Sequence, residues 1–178
     1  SEAWRVAGES LTTDKTWRWS SQWVDYADIS PNLQRAVIAS EDAGFTEHGG
    51  VDWEAIQTAW QKNERRIAQA EQRAARNPDR PVRGPKIVGG STITQQLAKN
   101  LLLSGERQLL RKGQELVLAL MLEALLSKQR ILEIYLNSVE WGEGIFGAEA
   151  AAQHYFRKPA SRLTPYEAAR LAVMLPSP

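Results

Sequence analysis

Apolar positions recur with helical spacing almost throughout the chain. Leu33, Val37 and Ile38 share one face behind Ser30-Pro31, an N-cap residue followed by a first-turn proline. Ile93, Leu97 and Leu101 follow at four-residue steps behind Thr92 and Gln95, which have capping-box spacing. Residues 111–128 are dense in Leu and Ala with Glu115 and Glu123 set among them, and 131–136 continue as a short helical segment. Thr164-Pro165-Tyr166-Glu167 is the clearest capping box and opens a helix expected to end near Pro176. Strand-like alternation is scarce, its best candidate being the Ser-rich stretch 17–24, and there is no internal repeat. The pattern predicts a mainly α fold. Residues 116–126, apolar nearly all round, are expected to form a buried core helix.

Composition bounds this picture without changing it. With 178 residues, 43% hydrophobic and 24% charged, the chain reads as one compact domain rather than a collagen-like, disordered or coiled-coil sequence. The absence of cysteine excludes disulfides, thiolate metal sites and cysteine nucleophiles, and His48 and His154 are too few for a histidine metal cage. The longest apolar run, 116–122, falls short of the roughly 20 residues a membrane helix needs. No signal-peptide pattern opens the chain.

Charge alters the picture more. The net charge is +1, yet residues 62–86 carry eight cations (Lys62, Arg65, Arg66, Arg73, Arg76, Arg80, Arg83, Lys86) against Glu64, Glu71 and Asp79. Residues 61–76 read as a solvated helix, and 77–85, with three prolines and a glycine, as a loop. The plain account is a surface insertion. The sharper one is a basic arm meeting an anionic surface.

Three segments have residues suited to chemistry. Glu41 and Asp42 end the first apolar helix, and Glu41 lies four residues after Val37, so it points to the buried side, where a carboxyl suits general acid or base work. Spacing alone equally allows the two acids to cap the helix or pair with a cation, and favours that plainer role. Gly89-Gly90-Ser91-Thr92 at a helix start resembles an anion cradle, with Lys99, Arg107, Arg111 and Lys112 following. It lacks the order of a Walker A loop. Glu115 opens the apolar helix, either facing solvent or held against the cations.

Glu-Asp-x-x-Phe-x-x-His-x-Gly at 41–50, Gly-Gly-Ser-Thr-Ile-Thr-Gln-Gln-Leu-x-Lys-Asn at 89–100 and Arg-Lys-x-x-Glu at 111–115 occur in this order. Ile-Leu-Glu-Ile-Tyr-Leu-Asn at 131–137 and Leu-Thr-x-x-Glu-Ala-Ala-x-Leu-Ala at 163–172 follow them. The succession resembles the peptidoglycan glycosyltransferase domain, glycosyltransferase family 51, and most closely its monofunctional type. The likeness runs over about residues 30–176.

The resemblance implies a lysozyme-like, two-lobed helical fold, with residues 51–88 as a smaller, mobile, membrane-facing lobe of a single glycosyltransferase domain spanning 1–178. It implies polymerisation of lipid II into β-1,4-linked glycan, with inversion and release of undecaprenyl diphosphate. By resemblance Glu41 is the catalytic base and Glu115 the second catalytic glutamate, holding the donor end through a divalent metal or by orienting the basic residues. Asp42, Phe45, His48, Ser91, Thr92, Gln95, Gln96, Lys99, Asn100, Arg107, Arg111 and Lys112 are the implied substrate-binding set. No tightly bound cofactor is implied, although a divalent ion, Mg or Mn, has a place near Glu41 or Glu115. The implied partners are lipid II, the growing strand, the membrane surface and other cell-wall and division proteins, with no nucleic acid. The implied location is the periplasmic face of the bacterial inner membrane, through an N-terminal membrane helix that this chain lacks. Val88 stands where relatives usually have glutamine, and 51–88 is longer than in many of them.

Two rivals are weighed. A lysozyme-like lytic enzyme that cuts the glycan would use one protonated glutamate and has no need of diphosphate-binding cations. A non-catalytic module binding nucleic acid through 62–86 lacks the interleaved aromatics that base stacking requires.

Overall fold

The computed structural model describes residues 20–76, 89–102 and 108–175. The fold is mainly α, as the periodicity predicts. Helices α1 (Pro31–Glu41), α2 (Trp53–Arg76), α3 (Ile93–Leu102), α4 (Gln108–Leu125), α5 (Lys128–Ser138), α6 (Ala148–Phe156) and α7 (Pro165–Ala172) follow in chain order. Strands β1 (Ser20–Ser21), β2 (Glu140–Gly142) and β3 (Ile145–Phe146) form a small sheet in the order β1-β3-β2. β1 runs parallel to β3 and β2 antiparallel to it, so the Ser-rich strand candidate is realised at Ser20–Ser21.

The caps read from the sequence are made. The Ser30 hydroxyl accepts the Asn32 N–H and donates to the Leu163 carbonyl, joining the start of α1 to the approach of α7. Thr164 and Glu167 form the reciprocal box of α7, which ends at Ala172 rather than near Pro176. Ser127 caps α5, breaking the apolar run of 111–128 into two helices. The core lies where α1 meets α7 and α3 meets α5, around Leu33, Val37, Ile93, Leu97, Tyr135 and Leu136. Asn137 fastens the chain before α1 to α5, its side chain exchanging both hydrogen bonds with the Val24 backbone.

Two expectations need correcting or narrowing. α4 is not buried all round. Glu115, Ala119, Leu122 and Leu126 make one inward stripe, whereas Val117, Leu120, Met121 and Leu125 face out, Leu125 being 76% exposed. Apolarity on every face does not by itself supply neighbours for every face. The solvated helix of 61–76 starts earlier, at Trp53, and buries only Ala59, so α2 stands largely off the core. The loop expected at 77–85 lies outside the described residues.

Candidate active site

The site forms where α1 ends. Asp42 leaves the helix in an extended conformation (φ −162°), so Glu41 and Asp42 diverge. Glu41 is buried on the face that Val37 predicts. Its Oε1 accepts the Ser40 hydroxyl at 3.2 Å and its Oε2 accepts the Gln96 amide at 3.1 Å. The Gln96 carbonyl oxygen in turn accepts the Tyr135 hydroxyl at 3.0 Å. Burial and the nearby Glu41 push the Tyr135 phenol far up, so it stays a donor and fixes which end of the Gln96 amide faces the carboxylate. Burial likewise raises the Glu41 pKa, and the bonds from Gln96 and Ser40 oppose the rise without cancelling it.

Asp42 plays a different part. His48 Nε2 lies 2.8 Å and 3.0 Å from its two oxygens, and Oδ2 also accepts the Ile93 N–H at 3.0 Å, at the start of α3. His48 Nδ1 accepts the Gly50 N–H at 3.2 Å, which places the ring proton on Nε2, facing Asp42. The Gly50 carbonyl takes the Thr92 hydroxyl at 2.6 Å, and Thr92 and Gln95 exchange the two capping-box bonds, 3.0 Å and 3.2 Å. Asp42 therefore ties the 42–50 loop to the glycine loop.

Gly50 makes this tie possible. Its φ is +90°, and an added Cβ would stand 2.8 Å from Glu123 Cγ and 3.2 Å from the Ala119 carbonyl. Gly50→Ala is expected to destabilise the fold by about 1–3 kcal/mol, read from chemical denaturation. An unchanged midpoint would show that the loop relaxes freely.

The third segment meets the second at Ser91. Lys112 Nζ donates to Ser91 Oγ at 2.9 Å and to Glu115 Oε1 at 2.6 Å. The Glu115 side chain is buried while that of Lys112 is 55% exposed, so a buried carboxylate holds a solvent-facing ammonium beside the glycine loop. A cavity of about 470 Å³ opens between Glu41, Asp42, the Gly89–Thr92 backbone and the first three turns of α2.

Glu41, Asp42, His48, Ser91, Thr92, Gln95, Gln96, Lys112 and Glu115 are thus brought together. Phe45 is not offered to a ligand. It is 1% exposed in the core, under the Lys128 ammonium 4.6 Å from its ring, and serves to seat the loop. Gln95 and Gln96 are buried and committed to the cap and to Glu41 respectively, supporting the cavity rather than lining it. Lys99 is exposed and Asn100 half-exposed, and neither bonds to the site among the described residues. Arg107 and the Arg111 side chain lie outside the described residues. Sequence reasoning missed Tyr135 as a partner of the acid, although it sits inside the 131–137 motif on a buried face, where a phenol needs an acceptor.

Metal ligation was expected near Glu41 or Glu115. Asp42, His48 and Asp52 offer ligand atoms within 4.8 Å of one another. Both Asp42 oxygens are already engaged and His48 Nε2 has the proton, while Glu115 holds Lys112. As arranged, neither group fits a divalent ion.

The chain is 57% identical over 177 residues to the biosynthetic peptidoglycan transglycosylase of Ralstonia nicotianae, covering 99% of this chain and 67% of that protein. The protein of the same description from Bordetella pertussis is 59% identical over 157 residues, or 88% of this chain and 60% of the relative. That from Burkholderia thailandensis is 53% identical over 177 residues, or 99% and 61%. The chain therefore spans about three fifths to two thirds of the length of these relatives. The sequence model of the transglycosylase family matches residues 8–178, and by that match over nearly its whole length the chain belongs to the transglycosylase family.

Proposed function

We propose that this chain is the catalytic domain of a peptidoglycan glycosyltransferase, polymerising lipid II into β-1,4-linked strands with inversion and release of undecaprenyl diphosphate. The observation that carries it is the buried Glu41 carboxyl, beside Asp42 in the wall of a cavity whose glycine-loop edge meets the Lys112 ammonium. Attack of the acceptor 4-hydroxyl on the anomeric carbon needs one base, and Glu41 takes that proton. The C1–O bond to the diphosphate breaks as the new C1–O bond forms, and the departing oxygen needs positive charge rather than a proton. Lys112 supplies it, joined by Lys99, Arg107 and Arg111, with the N-terminus of α3 adding its dipole. Asp42 and His48 hold the loop, and Glu115 is a positioning residue acting through Lys112.

The same reading puts the protein at the outer face of a bacterial inner membrane, since the substrate is lipid-borne. The exposed apolar face of α4 and the cationic α2, with Arg73 and Arg76 exposed, support contact with an anionic lipid surface. No helix among the described residues is long and apolar enough to cross a membrane. α2 and the residues after it would then be the smaller, membrane-facing lobe, and other wall-synthesis proteins its partners. The test is incubation of the chain with labelled lipid II and separation of the products by length. A ladder of glycan strands is the expected result. Cleavage of preformed glycan without a ladder would instead establish the lytic alternative.

A further inference from the structure

Helix α2 has a second face that the cavity does not use. From Trp53 onwards its apolar residues recur in the heptad rhythm of a coiled-coil seam. Trp53, Trp60, Ile67 and Ala74 stand seven apart, and Ile56, Asn63 and Ala70 alternate with them. The large members are open to solvent, Trp53 being 68%, Trp60 67% and Ile67 40% exposed. The Trp60 indole N–H donates to Glu64 Oε1 at 2.8 Å, one turn on, so the ring offers carbon alone to a neighbour. Asn63 is the single polar member, the kind of residue that fixes register in such seams. The helix meets its own domain on a different side. Glu54, Ala55, Thr58 and Lys62 line the cavity and point away from the seam.

Charge identifies the occupant. Glu64 and Glu71 stand along one flank of the seam, Arg66 and Arg73 along the other. An anionic lipid surface laid on this face would meet the acidic flank as well as the basic one. A second copy of the helix meets each flank with the opposite sign. In a parallel, in-register pair, a residue of the basic flank faces the acidic-flank residue five positions later on the other helix. Arg66 of each copy then meets Glu71 of the other. An antiparallel pair would set acid against acid and base against base. The 24 residues of α2 extend about 36 Å, room for three heptads.

We infer that α2 is a homodimerisation helix, two copies of this chain joining through parallel pairing of the seam from Trp53 to Ala74. The pairing leaves the cavity of each copy open, because the cavity lies on the other side of the helix. Arg65 and Arg76 fall outside the seam, so the dimer keeps cations for a lipid surface.

Sedimentation equilibrium of the full chain without detergent, over a range of concentrations, tests it. A dimer is expected. Trp60→Asp should weaken it about thirtyfold or more, the loss of a central aromatic anchor. Its circular dichroism should match wild type, since α2 buries only Ala59. Glu71→Arg and Arg66→Glu should each weaken the dimer about tenfold. An equimolar mixture of these two variants should pair again, because both contacts are then opposite in sign. The chain has no cysteine, so Ile67→Cys gives one thiol per copy, and mild oxidation should link the two. A monomer at the highest concentration tested overturns the inference, as does a dimer indifferent to Trp60→Asp or to both charge reversals. A monomer whose Trp60→Asp variant loses binding to mixed phosphatidylcholine and phosphatidylglycerol vesicles gives the seam to lipid and overturns it too. None of these measurements uses lipid II, so the proposed reaction stands or falls separately.

Discussion

Glu41→Gln is expected to abolish strand formation from lipid II, with kcat lower by about 10²–10⁴-fold, the range that one positioned general base supplies. The substitution keeps the shape and removes only the ability to take a proton. Its amide oxygen can still accept from Gln96, whose orientation Tyr135 fixes from behind. The fold should not suffer. Burial raises the Glu41 pKa, so ionised Glu41 costs the native state stability above the ordinary carboxylate range, and the cost disappears as pH falls below that range. At neutral pH the variant should melt no lower than wild type. Polymerisation persisting in a well-folded Glu41→Gln protein would remove Glu41 from the reaction.

The pH profile gives the same residue a signed test. A base must be ionised, so kcat/KM should rise with pH through a value above the ordinary carboxylate range and then level off. A lytic enzyme using Glu41 as an acid would show the opposite limb, losing activity over that interval. The inflection should move up if Tyr135→Phe lets the Gln96 amide turn its oxygen towards the carboxylate, because the bond that favours the charged form is then lost. It should also move up if Gln96→Leu removes the bond that favours the charged form.

What the sequence made legible was mostly local. Ser30, Thr92 with Gln95, and Thr164 with Glu167 cap their helices as their spacing predicts, because a cap is decided within four residues. The inward turn of Glu41 was legible for the same reason, being one helical turn from Val37. Burial of whole helices was not. α4 is as apolar outside as inside, and nothing in its own sequence tells which stripe finds neighbours. Phe45 shows the converse, since a motif residue in a loop can be there to anchor the loop rather than to touch a ligand. Lys62 read as one charge among eight because its neighbours across the cavity, Glu41 and Gly89 to Thr92, are brought near only by the fold.

Lys112→Gln is expected to lower kcat by about 10²–10³-fold, the loss typical of removing one preorganised group that stabilises charge developing on a leaving oxygen. The ammonium is half exposed, so its removal leaves no buried orphan except the Glu115 carboxylate, which the glutamine amide can still reach. Glu115→Gln should cost less, about tenfold, because it weakens the grip on Lys112 by one charge-assisted hydrogen bond. The decisive measurement is the double variant. If Glu115 works only by holding Lys112 against Ser91, the double variant is no slower than Lys112→Gln alone. If Glu115 touches the donor itself or holds an ion there, the two losses multiply. Lys112→Arg adds a control, since it keeps the charge and should recover part of the rate whenever Glu115 is present to orient it. The 2.6 Å contact between Lys112 and the buried Glu115 carboxylate predicts the non-multiplying outcome.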